Sequence, residues 1–329
     1  TTKPLAPTSP KLRLENKRGN FAVRRLLASL GYQETINFSF VPEQWEQGLA
    51  GNTNPVRLTN PIASQMNVMR SSLLGSLLAV LKYNQDRKTT EESKQTRVFE
   101  LGRVFLRDDA AVDSDSTVKG LVQPLRIAGL ASGDAQPLQW DGKALAVDFF
   151  DVKADVEAIF APRQLSFKLE SHPALHPGRS ARVYCGAEEV GVIGELHPKW
   201  RQTYGLTTSP VLFELDLASV LARDVAKGQA VPKVPFVQRD LAIVVKESVT
   251  HAQLMDAIAS AGQSLIQSAV LFDVYRPKAG DAAMAQGEKS LAVRLTLGDF
   301  DATLQDAQIE AVTASVTAKL TTALGARLR

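Results

Sequence analysis

The order of strand and helix patterns after residue 232 restricts the fold of this chain more than any other feature. Apolar runs of strand length alternate there with segments of helical periodicity, and Thr250 is a residue type that caps helix N-termini. The predicted elements are a strand at 239–245, a helix at 250–260, strands at 268–275 and 290–297, a helix at 304–324 and an extended segment at 326–329. This order predicts a ferredoxin-like βαββαβ fold, whose sheet leaves one face open.

The residues before this region predict a second, larger domain of mixed α and β structure. Its predicted helices are 16–31, 71–88, 149–160 and 217–223, and its predicted strands are 32–41, 55–63, 97–102, 104–106, 125–130, 181–185, 190–194 and 211–215. Pro232 and Pro235 indicate a linker between the domains. The predicted division is a lead-in at 1–15, a first domain at 16–228, a linker at 229–235 and a second domain at 236–329.

The amino-acid composition restricts the functional classes to which the chain can belong. The chain is 44% hydrophobic and 22% charged, and its net charge of +3 is too small to indicate nucleic-acid binding by itself. Cys185, the single cysteine, excludes an internal disulfide and suits a reducing compartment. No apolar run is long enough to span a bilayer, so we expect a cytoplasmic protein without a membrane partner. Because the chain starts with Thr1 and not with methionine, we also expect a C-terminal fragment of a longer protein.

Three of the four histidines, His172, His176 and His197, are each followed directly by proline. One hypothesis for them is a zinc hydrolase. His172 and His176 are four residues apart, a spacing that brings two ligands to one metal on a helix, but the prolines prevent a helix here. A residue before proline favours extended geometry. We therefore expect the three histidines at strand breaks or in loops, and no metal site.

Short motifs along both domains occur in the order typical of one protein family. In the first domain they are Thr59–Ile62, Met69–Leu78, Asn84–Arg87, Phe99–Phe105, Phe150–Glu157 and His176–Pro198. In the second domain they are Pro235–Ala242, Leu271–Tyr275, Lys289–Leu297 and Gly325–Arg329. These motifs closely resemble the beta-subunit family of bacterial phenylalanyl-tRNA synthetases, and the resemblance extends from Leu12 to Arg329.

The resemblance implies an α+β fold: a class II aminoacyl-tRNA synthetase-like antiparallel sheet with flanking helices, followed by a ferredoxin-like anticodon-binding domain. It implies an α₂β₂ ligase that joins phenylalanine to tRNA(Phe) with ATP and Mg²⁺, the alpha subunit doing the chemistry. We therefore expect this fragment to have no catalytic residues and no cofactor of its own, and to be inactive alone. The alternative is a freestanding module that binds RNA or protein without a ligase partner.

The catalytic pattern that the resemblance implies is incomplete. Class II catalysis needs an arginine and a glutamate on an antiparallel hairpin, and a second arginine that opens a late helix, because the guanidinium fork pairs with phosphate. The hairpin candidate offers Arg97 and Glu100, but the glycine-rich strand leads into Glu195 and His197 without an arginine. We expect Arg97 and Glu100 to form a surface pair, and the domain to be a scaffold for the alpha subunit.

The second domain is implied to bind RNA on its open sheet face. Between residues 232 and 329 about ten Lys and Arg balance about ten Asp and Glu, so clustered charge alone does not explain binding. Splayed RNA bases also stack on aromatic rings and guanidinium planes. The candidate tRNA-binding residues are Arg239, Tyr275, Arg276, Arg294, Arg327 and Arg329. Phe272 is predicted to lie in the core, and Phe300–Leu304 stands where a basic Arg-Thr-Leu is usual in the family.

The first predicted helix is the candidate contact with the alpha subunit. Its candidate interface residues are Phe21, Arg24, Arg25 and Leu27. Leucines follow one side of the helix, and Arg18, Arg24 and Arg25 follow the other. The basic side is equally consistent with a solvated helix surface, and the sequence does not decide between the two.

Overall fold

The computed structural model describes residues 15–87, 95–115, 117–136, 139–140, 142–228, 230–277, 284–285 and 287–329. The chain forms two compact units, Thr1–Ala226 and Lys227–Arg329. Two predictions, the lead-in before Glu15 and the helix end at Lys88, lie outside the described residues. Within the described part of the chain, no helix is long and apolar enough to cross a membrane.

The first unit is built on a seven-stranded sheet with helices on both faces. Its strands are β1 (Gln33–Glu34), β2 (Phe40–Val41), β3 (Val68–Met69), β4 (Thr96–Arg103), β5 (Leu106–Arg107), β6 (Leu121–Val122), β7 (Leu125–Ser132), β8 (Leu165–Leu169), β9 (Leu175–Cys185), β10 (Glu188–Leu196) and β11 (Val211–Asp216). Its helices are α1 (Asn20–Ser29), α2 (Glu43–Trp45), which a π-helical turn at Glu46–Ala50 continues, α3 (Leu74–Arg87), α4 (Phe149–Phe160), α5 (Pro198–Thr203) and α6 (Leu217–Leu221).

The sheet order is β1-β4-β7-β11-β10-β9-β8, and all neighbours are antiparallel except β1 and β4. Side chains alternate between the two faces, so each face has its own core. Phe99, Ile127 and Phe213 pack with residues of α1, α4 and α6 on one face. Val98 and Leu130 pack with the leucines of α3 on the other. Each fully buried side chain of this size contributes about 1.5–3 kcal/mol.

The predicted helix at 149–160 is confirmed at both ends, because local chemistry defines its start. The Asp148 carboxylate accepts hydrogen bonds from the backbone N–H groups of Phe150 and Asp151, and the Asp151 side chain accepts one from Asp148. This reciprocal capping box satisfies backbone donors that a helix start leaves free, and such a cap is worth about 1 kcal/mol.

Two strand predictions in the first unit are wrong. The segment 32–41 forms strands only at its ends, while Ile36 and Phe38 between them are exposed and Asn37 turns inward. Within the described segment 55–63 there is no strand, only an isolated bridge from Arg57 to Val68. In both cases the alternation of residue types does not come from a sheet with one buried face.

The histidine-rich region forms the hairpin of β9 and β10. The predicted strands 181–185 and 190–194 are confirmed, and both extend further than predicted. His172 precedes β9 and His197 precedes α5, as expected, but His176 lies inside β9, so its predicted place at a break is wrong. The extended geometry that proline imposes on the preceding residue is itself compatible with a strand.

The second unit confirms the predicted ferredoxin-like fold. Its elements are β12 (Val237–Lys246), α7 (His251–Ala259), β13 (Ile266–Tyr275), β14 (Glu288–Leu297), α8 (Asp306–Leu324) and β15 (Arg327–Leu328). The strands form an antiparallel sheet in the order β13-β14-β12-β15. Ile243 and Val293 pack with Leu254 of α7 and Leu320 of α8 on one face. The alternate residues of the strands therefore face away from both helices.

Candidate nucleic-acid interface and buried ion pairs

The open face of the second unit brings aromatic rings and arginines together. The antiparallel register places Tyr275, Ser290, Val244 and Arg327 in one row across the four strands. The Tyr275 ring lies near the side chain of Arg329, two residues beyond Arg327, and the guanidinium carbon of Arg329 is 5.1 Å from the ring centroid. We call this pair of one ring and one guanidinium a platform.

A second platform joins β13 and β14. The guanidinium carbon of Arg294 lies 5.0 Å from the centroid of the Phe272 ring. Phe272 is 51% exposed, so its predicted place in the core is wrong. A β-bulge between Leu271 and Asp273 inserts Phe272 as an extra residue, which changes the face to which its side chain turns. An exposed contact of a cation with a ring is worth about 0.5–1 kcal/mol, so each platform is preformed.

Carboxylates hold two arginines of this face, Arg294 and Arg327. Two nitrogens of Arg294 donate to Asp240, each at 2.7 Å. Arg327 donates to both carboxylate oxygens of Glu288, and these hydrogen bonds are the main reason why the pKa of Glu288 is lowered to about 2. The charges of Arg294 and Arg327 are therefore balanced by carboxylates, while their guanidinium planes stay oriented. Such a face favours the stacking of bases over the attraction of phosphates.

The six candidate tRNA-binding residues do not all share this face. Tyr275, Arg294, Arg327 and Arg329 lie on it or at its edge. Arg239 instead lines a groove beside α8, on the helix-covered side of the sheet. Arg276, one residue beyond the end of β13, donates two hydrogen bonds, of 3.1 and 2.9 Å, to a carboxylate oxygen of Glu247, just after β12. Arg276 therefore belongs to the end of the sheet.

In the first unit, Arg97 and Glu100 do not pair with each other. They are three residues apart on β4, so they face opposite sides of the sheet. Arg97 lies 2.7 Å from Asp155, and Glu100 lies 2.8 Å from Arg70. The side chains of Glu100 and Arg70 are each only 3% exposed. The predicted surface pair is wrong, because each residue belongs to a separate, largely buried ion pair.

The chain's own side chains fill the face of β4 that carries Glu100. The Glu100 carboxylate accepts a 2.7 Å hydrogen bond from the side-chain amide of Asn37, and Arg70 Nε donates to the Arg103 carbonyl at 3.1 Å. Nearby, Glu214 accepts a 2.6 Å hydrogen bond from the backbone N–H of Leu73. Burial raises the pKa of the Glu214 carboxyl. Most of these groups satisfy one another, but Nη1 of Arg70 contacts Glu100 only as an ion pair and has no hydrogen-bond partner among the described residues.

The helices that follow β10 and β11 also lack an arginine at their starts. His197 caps α5, and its Nδ1 accepts a hydrogen bond from the backbone N–H of Lys199 at 3.0 Å. Asp216 caps α6, and its carboxylate accepts one from Ser219 N–H at 2.9 Å. Glu195, near the end of β10, is paired with Arg179. A triphosphate at either helix start would meet a histidine or a carboxylate, so these residues do not fit an ATP site.

The side chains of the three histidines that precede proline accept hydrogen bonds from backbone N–H groups. The Nδ1 atoms of His172 and His176 accept hydrogen bonds from the N–H groups of Ala174 and Gly178, at 3.2 and 3.0 Å, in the manner of His197. Burial, with a smaller effect of Arg182, lowers the pKa of His172 to about 4. Each Nδ1 lone pair is thus used within the chain. Among the described residues, no three His, Cys, Asp or Glu side chains are grouped to hold a metal ion.

The candidate interface helix α1 is only partly exposed. Phe21 is 71% exposed and Arg25 is exposed, while Arg24 donates a 2.7 Å hydrogen bond to Glu34. Leu27 is 0% exposed and belongs to the core of its own unit, so it cannot form part of a contact surface. Ile36 and Phe38, which follow β1, are also exposed and add apolar surface. The predicted strand at 32–41 did not lead us to expect this exposure.

Comparison with known proteins decides the family. A family model described as the phenylalanyl tRNA synthetase beta chain CLM domain matches residues 1–217. The chain belongs to this family. A second model, the ferredoxin-fold anticodon binding domain, matches residues 232–329. The family resemblance of the sequence motifs is therefore confirmed, and so is the α+β fold with antiparallel sheets.

Curated relatives agree with this assignment. The phenylalanine–tRNA ligase beta subunit of Ralstonia nicotianae is 47% identical over 99% of this chain and 40% of its own length. That of Cupriavidus pinatubonensis is 46% identical over the same shares, and that of Chromobacterium violaceum is 47% identical over 96% of this chain and 38% of its own. The chain thus spans about 40% of the length of these relatives. A solved pyrrolysyl tRNA synthetase structure, Desulfitobacterium hafniense PylSc, is 11% identical, with a TM-score of 0.42 over 64% of this chain and 75% of its own.

Proposed function

We propose that this chain is part of the beta subunit of a phenylalanine–tRNA ligase, and that its second unit binds the anticodon region of tRNA(Phe). The observation that carries the proposal is the pair of platforms on the open sheet face, Tyr275 with Arg329 and Phe272 with Arg294. Unpaired RNA bases stack on such planes. An anticodon loop presents unpaired bases, whereas a tRNA stem presents paired ones.

We propose further that the first unit is a non-catalytic scaffold that pairs with the alpha subunit in an α₂β₂ ligase of the cytoplasm. The buried pair of Arg70 with Glu100 and the capped starts of α5 and α6 support this proposal, because they occupy the positions where ATP would need free arginines. ATP and Mg²⁺ would then be bound by the alpha subunit. Phe21 and Arg25 of α1 are the proposed contacts with it.

A binding assay with a tRNA(Phe) transcript tests the interface of the second unit. Phe272→Ala and Tyr275→Ala each remove one ring of a platform, and each should weaken binding by about 1–3 kcal/mol if the ring stacks on a base. Arg239→Ala is the matched control, because Arg239 lies on the helix-covered side of the same sheet. Unchanged affinity of both ring variants, or an equal loss in the control, would show that RNA does not bind this face.

Co-expression with an alpha subunit tests the scaffold. The chain should co-purify with the alpha subunit, and alone it should show no phenylalanine-dependent exchange of pyrophosphate into ATP. Phe21→Ser should weaken the complex, whereas Phe150→Ser, at a phenylalanine that is also 71% exposed, should not. Exchange activity of the isolated chain would overturn the scaffold proposal. Absence of any complex would favour the freestanding interaction module.

A further inference from the structure

Three arginines converge at the C-terminal ends of α4 and α6 in the first unit. The backbone N–H of Arg18 donates to the Leu221 carbonyl at 2.9 Å, and that of Arg223 donates to Asn16 at 3.0 Å. These two bonds hold the segments 16–18 and 221–223 side by side. Arg163, three residues beyond α4, donates from its side chain to a carbonyl of α6. The side chains of Arg18 and Arg163 therefore meet at the carbonyls of α6, and Arg223 lies two residues beyond the end of that helix.

The helix carbonyls use only some of the guanidinium donors. Arg18 donates through Nε to the Val220 carbonyl at 3.1 Å and through Nη2 to the Ile159 carbonyl. Arg163 donates through Nη2 to the Ser219 carbonyl. The Nε of Arg163 is buried and has no hydrogen-bond partner within the described part of the chain. Among the described residues, no hydrogen bond is made by Nη1 of Arg18, by Nη1 of Arg163 or by the side chain of Arg223, so these donors remain available to a ligand.

The cluster also has an excess of positive charge. Within the described part of the chain, no carboxylate forms an ion pair with Arg18, Arg163 or Arg223. Burial and then the charges of Arg163 and Arg223 lower the pKa of Arg18. The C-terminal ends of α4 and α6 offset part of this charge, since each has a partial negative charge of about half an electron. An anion would offset the rest.

We propose that Arg18, Arg163 and Arg223 form a binding site for a phosphoryl group. Guanidinium groups pair with phosphate oxygens through two parallel N–H donors, a pair that Arg223 can offer, while Arg18 and Arg163 each contribute Nη1. Either a backbone phosphate of RNA or free phosphate or pyrophosphate supplies this chemistry. Binding of an RNA phosphate rests on the proposed function, whereas binding of the free anions does not.

Titration of the whole chain with sodium phosphate and with pyrophosphate, against sodium chloride of equal ionic strength, tests the site. Both anions should raise the melting temperature of the first unit, as followed by tryptophan fluorescence. Arg223→Ala should weaken anion binding about tenfold, because it removes one charge-assisted donor pair. Arg107→Ala, which removes an exposed arginine elsewhere in the same unit, is the control and should bind as the wild type does.

An RNA arm distinguishes the two sources. If the ligand is an RNA phosphate, Arg223→Ala should reduce the slope of log K against log salt for tRNA binding by about 0.7–0.9, the loss of one phosphate contact. If only free anions bind, the slope stays unchanged and the phosphate titration still depends on Arg223. If the wild-type chain does not bind tRNA but still binds phosphate through Arg223, the proposed function is refuted and this site is supported. The inference is overturned if neither anion binding nor RNA binding responds to Arg223→Ala, or if Arg107→Ala has an equal effect.

Discussion

Substitution of Glu100 by glutamine removes the charge opposite Arg70 with little change in side-chain shape. In the structure, Nη1 of Arg70 lies 2.8 Å from the Glu100 carboxylate, as an ion pair without hydrogen-bond geometry, and both side chains are almost fully buried. Loss of one partner of a buried pair costs about 3–5 kcal/mol, because the remaining charge is uncompensated. The Glu214 carboxyl also interacts with Arg70. We therefore expect a loss near the lower end, about 3 kcal/mol.

The chain contains a suitable probe for this experiment. All three tryptophans, Trp45, Trp140 and Trp200, belong to the first unit, so urea unfolding followed by their fluorescence reports the stability of that unit. Asp86→Asn, which breaks the exposed helical pair with Lys82, is the control and should cost less than about 0.5 kcal/mol.

A double variant sharpens the comparison. Arg70→Met combined with Glu100→Leu removes both charges and keeps apolar volume, so its stability should be closer to the wild type than that of Glu100→Gln alone. If Glu100→Gln costs under about 1 kcal/mol, or no more than the exposed control, burial of an uncompensated Arg70 charge is not what makes this pair important.

Two further predictions concern the first unit. The pKa of His172 is about 4 in the folded state and 6.5 in the unfolded state. As the pH falls, the unfolded state therefore binds the proton first. The free energy of unfolding should decrease from pH 6.5 down to pH 4 by at most about 3 kcal/mol. His172→Asn does not titrate and retains an acceptor for the Ala174 N–H, so it should flatten this dependence of stability on pH. His251→Asn in the second unit is the control and should not flatten it. If His172→Asn and the wild type have identical profiles, His172 is not the cause of the pH dependence. Gly129→Ala would place a Cβ 2.3 Å from the Phe213 ring and should lower the free energy of unfolding in urea by about 1–3 kcal/mol. Combining it with Phe213→Leu should recover part of that loss. If the effects of the two substitutions simply add, this contact is not the cause.

Much of the architecture could be predicted from the sequence because it depends on neighbouring residues. The order of the second unit follows from apolar periodicity and from the Thr250 cap, and α4 follows from Asp148 and Asp151. The sequence could also have predicted that Arg97 and Glu100 face opposite sides of the sheet, since residues three apart on a strand do so. The predicted surface pair overlooked this spacing.

The partners of the functional side chains could not be predicted, because they depend on register between distant strands. Arg294 meets Asp240 only because β14 and β12 pair those two residues, 54 positions apart. One bulge decides that Phe272 is exposed.

Sequence alone determined the family, the order of the elements and the chemistry available on each strand, since these depend on residue type and local spacing. Only the tertiary structure decided which arginines are balanced by carboxylates, that Leu27 is buried, and that Arg18, Arg163 and Arg223 meet without a carboxylate partner among the described residues. Those outcomes depend on the packing of segments up to two hundred positions apart, which a local pattern does not contain.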